Sequence, residues 1–173
     1  MPNNHLDWVQ VAAFYLPKKI ILFTIGTITN NEINHPGLGF TIPYHGGDTA
    51  KATIYIYTKN NQGIPGEPMS PVVMSEFNNA ISDIYKSASI QNQEAALLEK
   101  YGTGDPERGV DFLCAEFILR DHTNAHRTYL YLTGASGYFI KLRVSLRGTD
   151  DPNGIGRNFA DYIAQCIRRV KIN

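Results

Sequence analysis

Tyr138-Phe139-Ile140-Lys141-Leu142-Arg143-Val144-Ser145-Leu146-Arg147 is the stretch that decides the fold class. Tyr138, Ile140, Leu142, Val144 and Leu146 recur at every second position, with Phe139, Lys141, Arg143, Ser145 and Arg147 between them. A period of two is that of an extended strand with one core face and one polar face. Such half-buried strands belong to antiparallel sheets, and a slip of one residue would reverse every side chain.

Neighbouring segments carry the same signature. Asp111 to Arg120, Arg127 to Thr133 and Tyr138 to Arg147 are separated by turns at 121–125 and at Gly134-Ala135-Ser136-Gly137, so they read as a three-strand meander. Upstream, Ile20 to Thr29, Leu38 to Tyr44 and Lys51 to Lys59 are rich in β-branched residues, and Asn, Gly and Pro clusters separate them. Gly63-Ile64-Pro65-Gly66 and Pro68 make 60–70 a loop. Ser70-Pro71 then starts a helix, as a cap followed by the residue best suited to the first helical position. Phe77, Ala80, Ile81, Ile84, Tyr85 and Ala88 give it one apolar face. A second, shorter helix is expected over 92–101, closed by Gly102. The chain ends on a helix over 152–169, with Asp150-Asp151 at its start. Its apolar stripe is Ile155, Phe159, Tyr162, Ile163, Cys166, Ile167 and Val170.

The expected fold class is therefore α+β. A twisted antiparallel sheet of about five to seven strands carries helices on its faces, and the long C-terminal helix lies on the aliphatic face. The chain of 173 residues fits a single domain, 1–173, with 1–16 as a possible N-terminal arm. Hydrophobic residues at 43% and charged residues at 18% describe a globular chain. Sixteen basic and sixteen acidic residues cancel, so no global field draws nucleic acid or an anionic membrane. The longest apolar stretch, 20–28, is far short of a membrane span. Lys18-Lys19 before it suggests a signal peptide, but Thr-Asn-Asn-Glu replaces a cleavage site, and a strand is the better reading. The expected location is cytoplasmic by default, or periplasmic or secreted if a leader has been removed. Cys114 and Cys166 read as free thiols, with one disulfide as the alternative.

The alternations sort the strands into two faces. Ile140, Leu142 and Val144 are grouped with Leu130, Leu132, Ile54, Ile56, Leu113 and Phe117. The opposite face then carries Tyr55, Tyr57, Tyr129, Tyr131 and Phe139 beside Lys141, Arg143 and Arg147. Helices over 71–101 would cover that aromatic and basic face, or it serves as a binding surface. The candidate binding set is Tyr55, Tyr57, Tyr129, Tyr131, Lys141 and Arg143, lining a groove between the sheet and the 71–101 segment. The 60–70 loop would border it, and a protein or peptide would dock there. Tyrosine suits a surface that is apolar in its body and wet at its tip, and lysine and arginine can lay their stems along it.

No catalytic motif stands out, and no cofactor is expected. The competing reading is a metal- or cysteine-dependent hydrolase. It would use His122 and His126, which flank a turn with Asp121, or Cys114 paired with a histidine. The glycines of Gly102-Thr103-Gly104 follow a helical segment instead of opening one, the reverse of a phosphate loop.

The strand Gly39-Phe40-Thr41-Ile42-Pro43-Tyr44, the meander ending Gly137 to Ser145 and the helix from Pro152 follow one another in an order that resembles the PsbP/Mog1-like α+β fold group. The resemblance covers roughly residues 38–170. It implies an antiparallel sheet between helices and, since few members are enzymes, binding in preference to catalysis. It assigns no site residue.

Overall fold

The computed structural model describes residues 16–170. Among them, nine strands form one antiparallel sheet and two helices pack on it. In chain order the elements are β1 (Lys19–Ile20), β2 (Phe23–Ile25), β3 (Thr29–Asn30), β4 (Phe40–Gly46), β5 (Ala50–Tyr57), α1 (Pro71–Ile90), β6 (Glu94–Asp105), β7 (Gly109–Arg120), β8 (Ala125–Ala135), β9 (Tyr138–Arg147) and α2 (Ile155–Val170). The sheet order is β1-β2-β4-β5-β9-β8-β7-β6, with β3 on β4. The α+β class and the C-terminal helix agree with the sequence reading, while the strand count exceeds it. Of the possible N-terminal arm at 1–16, all but Leu16 lies outside the described residues.

The two helices take opposite faces of the sheet. Ala52, Ile54, Ile56, Ile140, Leu142 and Val144 form one core with Phe159, Ala160, Ile163 and Ala164 of α2. Leu113, Ala115, Phe117, Leu130, Leu132 and Phe139 form another with Val73, Phe77, Ala80, Ile81 and Ile84 of α1. The expected burial of Ile140, Leu142, Val144, Leu130 and Phe159 holds. The stripe of α2 is narrower than its apolar residues suggest. Tyr162 is exposed, and the small Ala160 and Ala164 let the helix sit close to the strands.

Both helix starts use the caps expected. Ser70 Oγ accepts from Val73 N–H at 3.4 Å, with Pro71 in the first turn. Asp151 accepts from Ile155 N–H at 2.7 Å and Gly156 N–H at 2.9 Å, so α2 begins three residues beyond Pro152. Gly156 is where the tyrosines meet the helix, since a Cβ there would stand 2.5 Å from the Tyr129 ring.

Three sequence expectations need correction. The segment expected as a helix over 92–101 is the start of strand β6, so Gly102 sits inside a strand and closes no helix. Glu94-Ala95-Ala96-Leu97-Leu98-Glu99-Lys100 has strong local helix preference. Pairing along β7 overrides it, because Ala95 and Leu97 can then join the core under α1. A bulge at Leu98 turns the strand over, so that Tyr101 reaches the other core. The single strand over 20–29 is instead β1, a tight turn with Ile21 at φ 55°, and β2 and β3.

The third correction concerns the faces. Ser136 and Gly137 have φ of 51° and 83°, the two positive values of a two-residue hairpin loop. That loop pairs Ala135 with Tyr138, hence Tyr131 with Leu142 and Tyr129 with Val144. Residues directly opposite share a face. Odd-numbered residues of β8 therefore lie with even-numbered residues of β9, and the aliphatic grouping across these two strands is reversed. Strands β7 and β8 keep the relation expected between them, but the pair is turned over relative to β9 and β5.

Candidate functional site

The six candidate residues do not form one patch. Tyr129 and Tyr131 face α2 and are buried at 4% and 0% exposure, with rings stacked 6.0 Å apart. Tyr129 donates to Asp151 at 3.0 Å, so its hydroxyl helps hold the start of α2. Burial raises the pKa of both hydroxyls above the usual tyrosine value. These two are core residues, and they leave the binding set.

Tyr55, Tyr57, Lys141 and Arg143 share the α1 face. Strand pairing sets Tyr55 opposite Lys141, Thr53 opposite Arg143 and Tyr57 opposite Phe139. The Lys141 ammonium lies 4.7 Å from the Tyr55 ring centre and 5.3 Å from that of Tyr57. Tyr57 is buried and donates to Glu76 of α1 at 2.7 Å, while Lys59 binds the other oxygen of that carboxylate at 2.9 Å. Lys141 is thus half-buried, with its ammonium over two rings on the α1 face.

Arg143 lies two residues along the same strand, in a different setting. Helix α1 packs over β6, β7 and β8, which leaves β5 and the far part of β9 at its flank. There a groove of about 330 Å³ opens beside the last turn of α1. Its floor is Thr53 and Tyr55 of β5, Arg143 and Ser145 of β9, and Thr128 and His126 of β8. Its walls are Ser87, Ala88, Gln91 and Gln93 on one side and Lys51 on the other. The small Ser87 and Ala88 at the end of the helix leave the space open. Among the described residues that line the groove there is no aspartate or glutamate.

The electrostatics of the two cations differ accordingly. Burial lowers the pKa of both Lys141 and Arg143 from its ordinary value. For Lys141 the Glu76 and Asp83 carboxylates oppose that effect. For Arg143 only Tyr55 opposes it. The Arg143 Nε is buried and has no hydrogen-bond partner among the described residues. A guanidinium stays charged even so.

The 60–70 loop does not border this groove. Ile64 is buried in the core under α1, and the Pro65 carbonyl packs on Gly134, where a side chain would collide with it. The loop leads into the first turn of α1, whereas the groove lies at the last, about 30 Å away along a helix of this length. The sequence reading missed Lys51, Thr53, Ser145 and the two glutamines as groove residues. The alternation of β5 and β9 placed Thr53 and Ser145 on the right face, but the helix expected over 92–101 hid Gln93, and Gln91 fell between the two expected helices.

The hydrolase residues are not brought together. Cys114 faces the α2 core, while His126, paired with Leu119, lines the groove on the α1 side. The sheet itself separates them. Burial pushes the Cys114 thiol up to about 12, which keeps it protonated near neutrality. His122 sits in an exposed turn where Asp121 accepts from the N–H groups of Thr123 and Asn124, each at 2.8 Å. Among the described residues no three His, Cys, Asp or Glu side chains stand close enough to hold a metal. Cys114 and Cys166 are free, the second half-buried. No described helix is long and apolar enough to cross a membrane.

A second polar cluster lies on the α2 face. Tyr101 and Arg127 both bind Glu116, at 2.5 and 2.6 Å, and Arg127 also donates to the Thr149 carbonyl at 3.0 Å. These contacts tie β6, β7 and β8 to the segment that leads into α2, and the buried Arg127 Nε has no hydrogen-bond partner among the described residues.

Sheet and site together define an α+β domain with a helix on each face and an acid-free polar groove at the flank of one helix. No family model and no curated protein matches the chain. Among solved structures it is similar to the solution structure of cyanobacterial PsbP (CyanoP) from Synechocystis sp. PCC 6803. That likeness has a TM-score of 0.49 and 13% identity, and covers 81% of this chain and 79% of that one. It meets the PsbP side of the resemblance read from the sequence; no finding attaches to the Mog1 side. It is a likeness of fold, and the functional reading rests on the groove.

Proposed function

We propose that this chain is a non-catalytic binding module, and that a protein or peptide segment docks in the groove between the end of α1 and strands β5 and β9. The observation that carries the reading is the open cleft of about 330 Å³ around Arg143, whose Nε has no hydrogen-bond partner among the described residues. Small-molecule pockets are mostly apolar and enclosing. This groove has hydroxyls, amides and a guanidinium along its length, and Lys51 and Gln91 stand exposed at its rim. Such a lining suits the backbone and polar side chains of an extended segment, with the Tyr55 ring as its apolar surface. Of the residues named from the sequence, Tyr55 and Arg143 line the groove, and Tyr57 and Lys141 support them from beneath α1.

Selection from a random peptide library tests this. The intact protein is expected to enrich a consensus segment. Ser87→Trp, which fills the groove from the half-buried end of α1, is expected to weaken that segment about tenfold or more, the equivalent of ~1.4 kcal/mol. Enrichment that survives Ser87→Trp unchanged, or no enrichment at all, overturns the reading.

A further inference from the structure

We infer that the groove grips an oxyanion, a carboxylate or phosphate carried by the docked segment, and that Arg143 is the residue that holds it. The inference rests on the docking reading above and adds the chemistry of the ligand.

Lys141 and Arg143 are two residues apart on one face of β9, and both are partly buried. The chain answers the first with two aromatic rings, and the Glu76 and Asp83 carboxylates of α1 favour its charge from beyond ion-pair distance. Among the described residues no carboxylate lines the groove beside the second. Taking a charge out of water is costly unless a counter-charge or hydrogen bonds replace the water. In a protein of zero net charge, with as many acids as bases to place, an acid-free lining around a half-buried arginine is a local choice. Lys51 stands on the adjacent strand and adds a second cation at the rim.

The hydroxyls supply donors as well. Thr128 Oγ1 and Ser145 Oγ lie 3.0 Å apart, and one donates to the other. Whichever accepts keeps its own proton. Thr128 is fully buried and Ser145 is half-exposed, so when Thr128 donates to Ser145 the Ser145 proton is available to a ligand. A guanidinium, an ammonium and a hydroxyl around one cavity are the donor set of a carboxylate or phosphate site. Arginine presents them in a planar fork that fits two oxygens at once.

Backbone NMR of the full chain tests the inference with inorganic phosphate and acetate, then with three versions of one library-derived peptide carrying glutamate, phosphoserine or glutamine. The expected result is a saturable shift of the amides of Thr53, Tyr55, Arg143 and Ser145 with the anionic probes, weakened by added salt. Arg143→Met is expected to lower affinity for the anionic peptides about tenfold or more, Arg143→Lys to restore part of it, and the remote Arg108→Met to change nothing. Preference for the phosphoserine or the glutamate peptide identifies the source of the oxyanion. Phosphate shifts scattered over surface lysines, or anionic peptides that bind Arg143→Met as tightly as the intact protein, overturn the inference. The two readings fail separately. A glutamine peptide that binds as well as the anionic ones, and is lost in Ser87→Trp, removes the oxyanion and keeps the docking groove. Groove shifts with phosphate but no enriched peptide remove the docking segment and keep the oxyanion site.

Discussion

The two faces of the sheet are built on different terms. Beneath α2 the strands offer Ile54, Ile56, Ile140, Leu142 and Val144, together with tyrosine rings that stack on one another and on the helix. Phe159 closes this face with edge contacts to Phe23 and Tyr44 at 5.1 and 5.4 Å. Tyr44 sends its hydroxyl to the Pro17 carbonyl, and Tyr129 sends its own to Asp151. Beneath α1 the same strands offer Tyr55, Tyr57, Lys141 and Arg143, and the helix covers only part of them. Tyrosine therefore means different things on the two sides. Under α2 it is a large core residue, and the Tyr131 hydroxyl is buried there with no hydrogen-bond partner among the described residues. Under α1 Tyr55 is a half-exposed platform for a cation and, on the proposal above, for a ligand. The lesson is that residue type alone does not separate a core from a binding surface, because the cover each ring receives is set by where the helices lie.

The sharpest way to break this comparison is to truncate one tyrosine on each side. Tyr131→Ala is expected to cost roughly 3–5 kcal/mol of stability, as deletion of a fully buried ring does. Tyr55→Ala is expected to cost much less. Urea denaturation of both variants measures the difference, and equal losses would erase the distinction between the faces.

Alkali should likewise attack the α2 side first. Burial raises the Cys114 thiol from 9.0 to about 12. The unfolded chain then releases that proton at lower pH than the folded one. The stabilisation this provides is intact below about pH 9 and is lost as the pH rises towards 12, up to about 4 kcal/mol for a shift of this size. The raised hydroxyls of Tyr44, Tyr129 and Tyr131 act in the same direction. Melting curves at rising pH should fall, and Cys114→Ala should fall less steeply than the intact chain.

Gly156→Ala tests how closely α2 is seated. Its methyl group would meet the Tyr129 ring at 2.5 Å, so helix or ring must shift, at roughly 1–3 kcal/mol. Asp151→Ala removes the cap of α2 and the partner of Tyr129 together, and should cost roughly 1–2 kcal/mol. The smallest effect is expected on the other face. Arg143→Met replaces a half-buried cation without a counter-charge by a side chain of similar length, and should leave stability unchanged or raise it by up to about 1 kcal/mol. A clear loss of stability there would mean that Arg143 is held by the fold, and the groove would lose its distinguishing charge.

What the sequence by itself determined is local. The alternation of β9 is explicit in its residues, as are the capped start at Ser70-Pro71 and the amphipathic stripes of α1 and α2. These follow from spacings of two, three and four residues, which any window of the chain displays. What the tertiary structure decided is how those windows are set against one another. Glu94 to Lys100 prefers a helix in isolation and becomes a strand because β7 offers it a full ladder of hydrogen bonds and a place in a core. The division of the tyrosines between the faces depends on whether the turn at Gly134 to Gly137 closes on two residues or three. A change of one step in that pairing exchanges the faces of β8 and β7 relative to β9. The positive φ of Ser136 and Gly137 settles it, and that signal is present in the sequence only as a small residue before a glycine. The groove is the least local feature of all. It exists because α1 lies over β6 to β8 and stops short of β5, and no stretch of residues records where a helix will lie once the three strands that follow it have formed the surface beneath it.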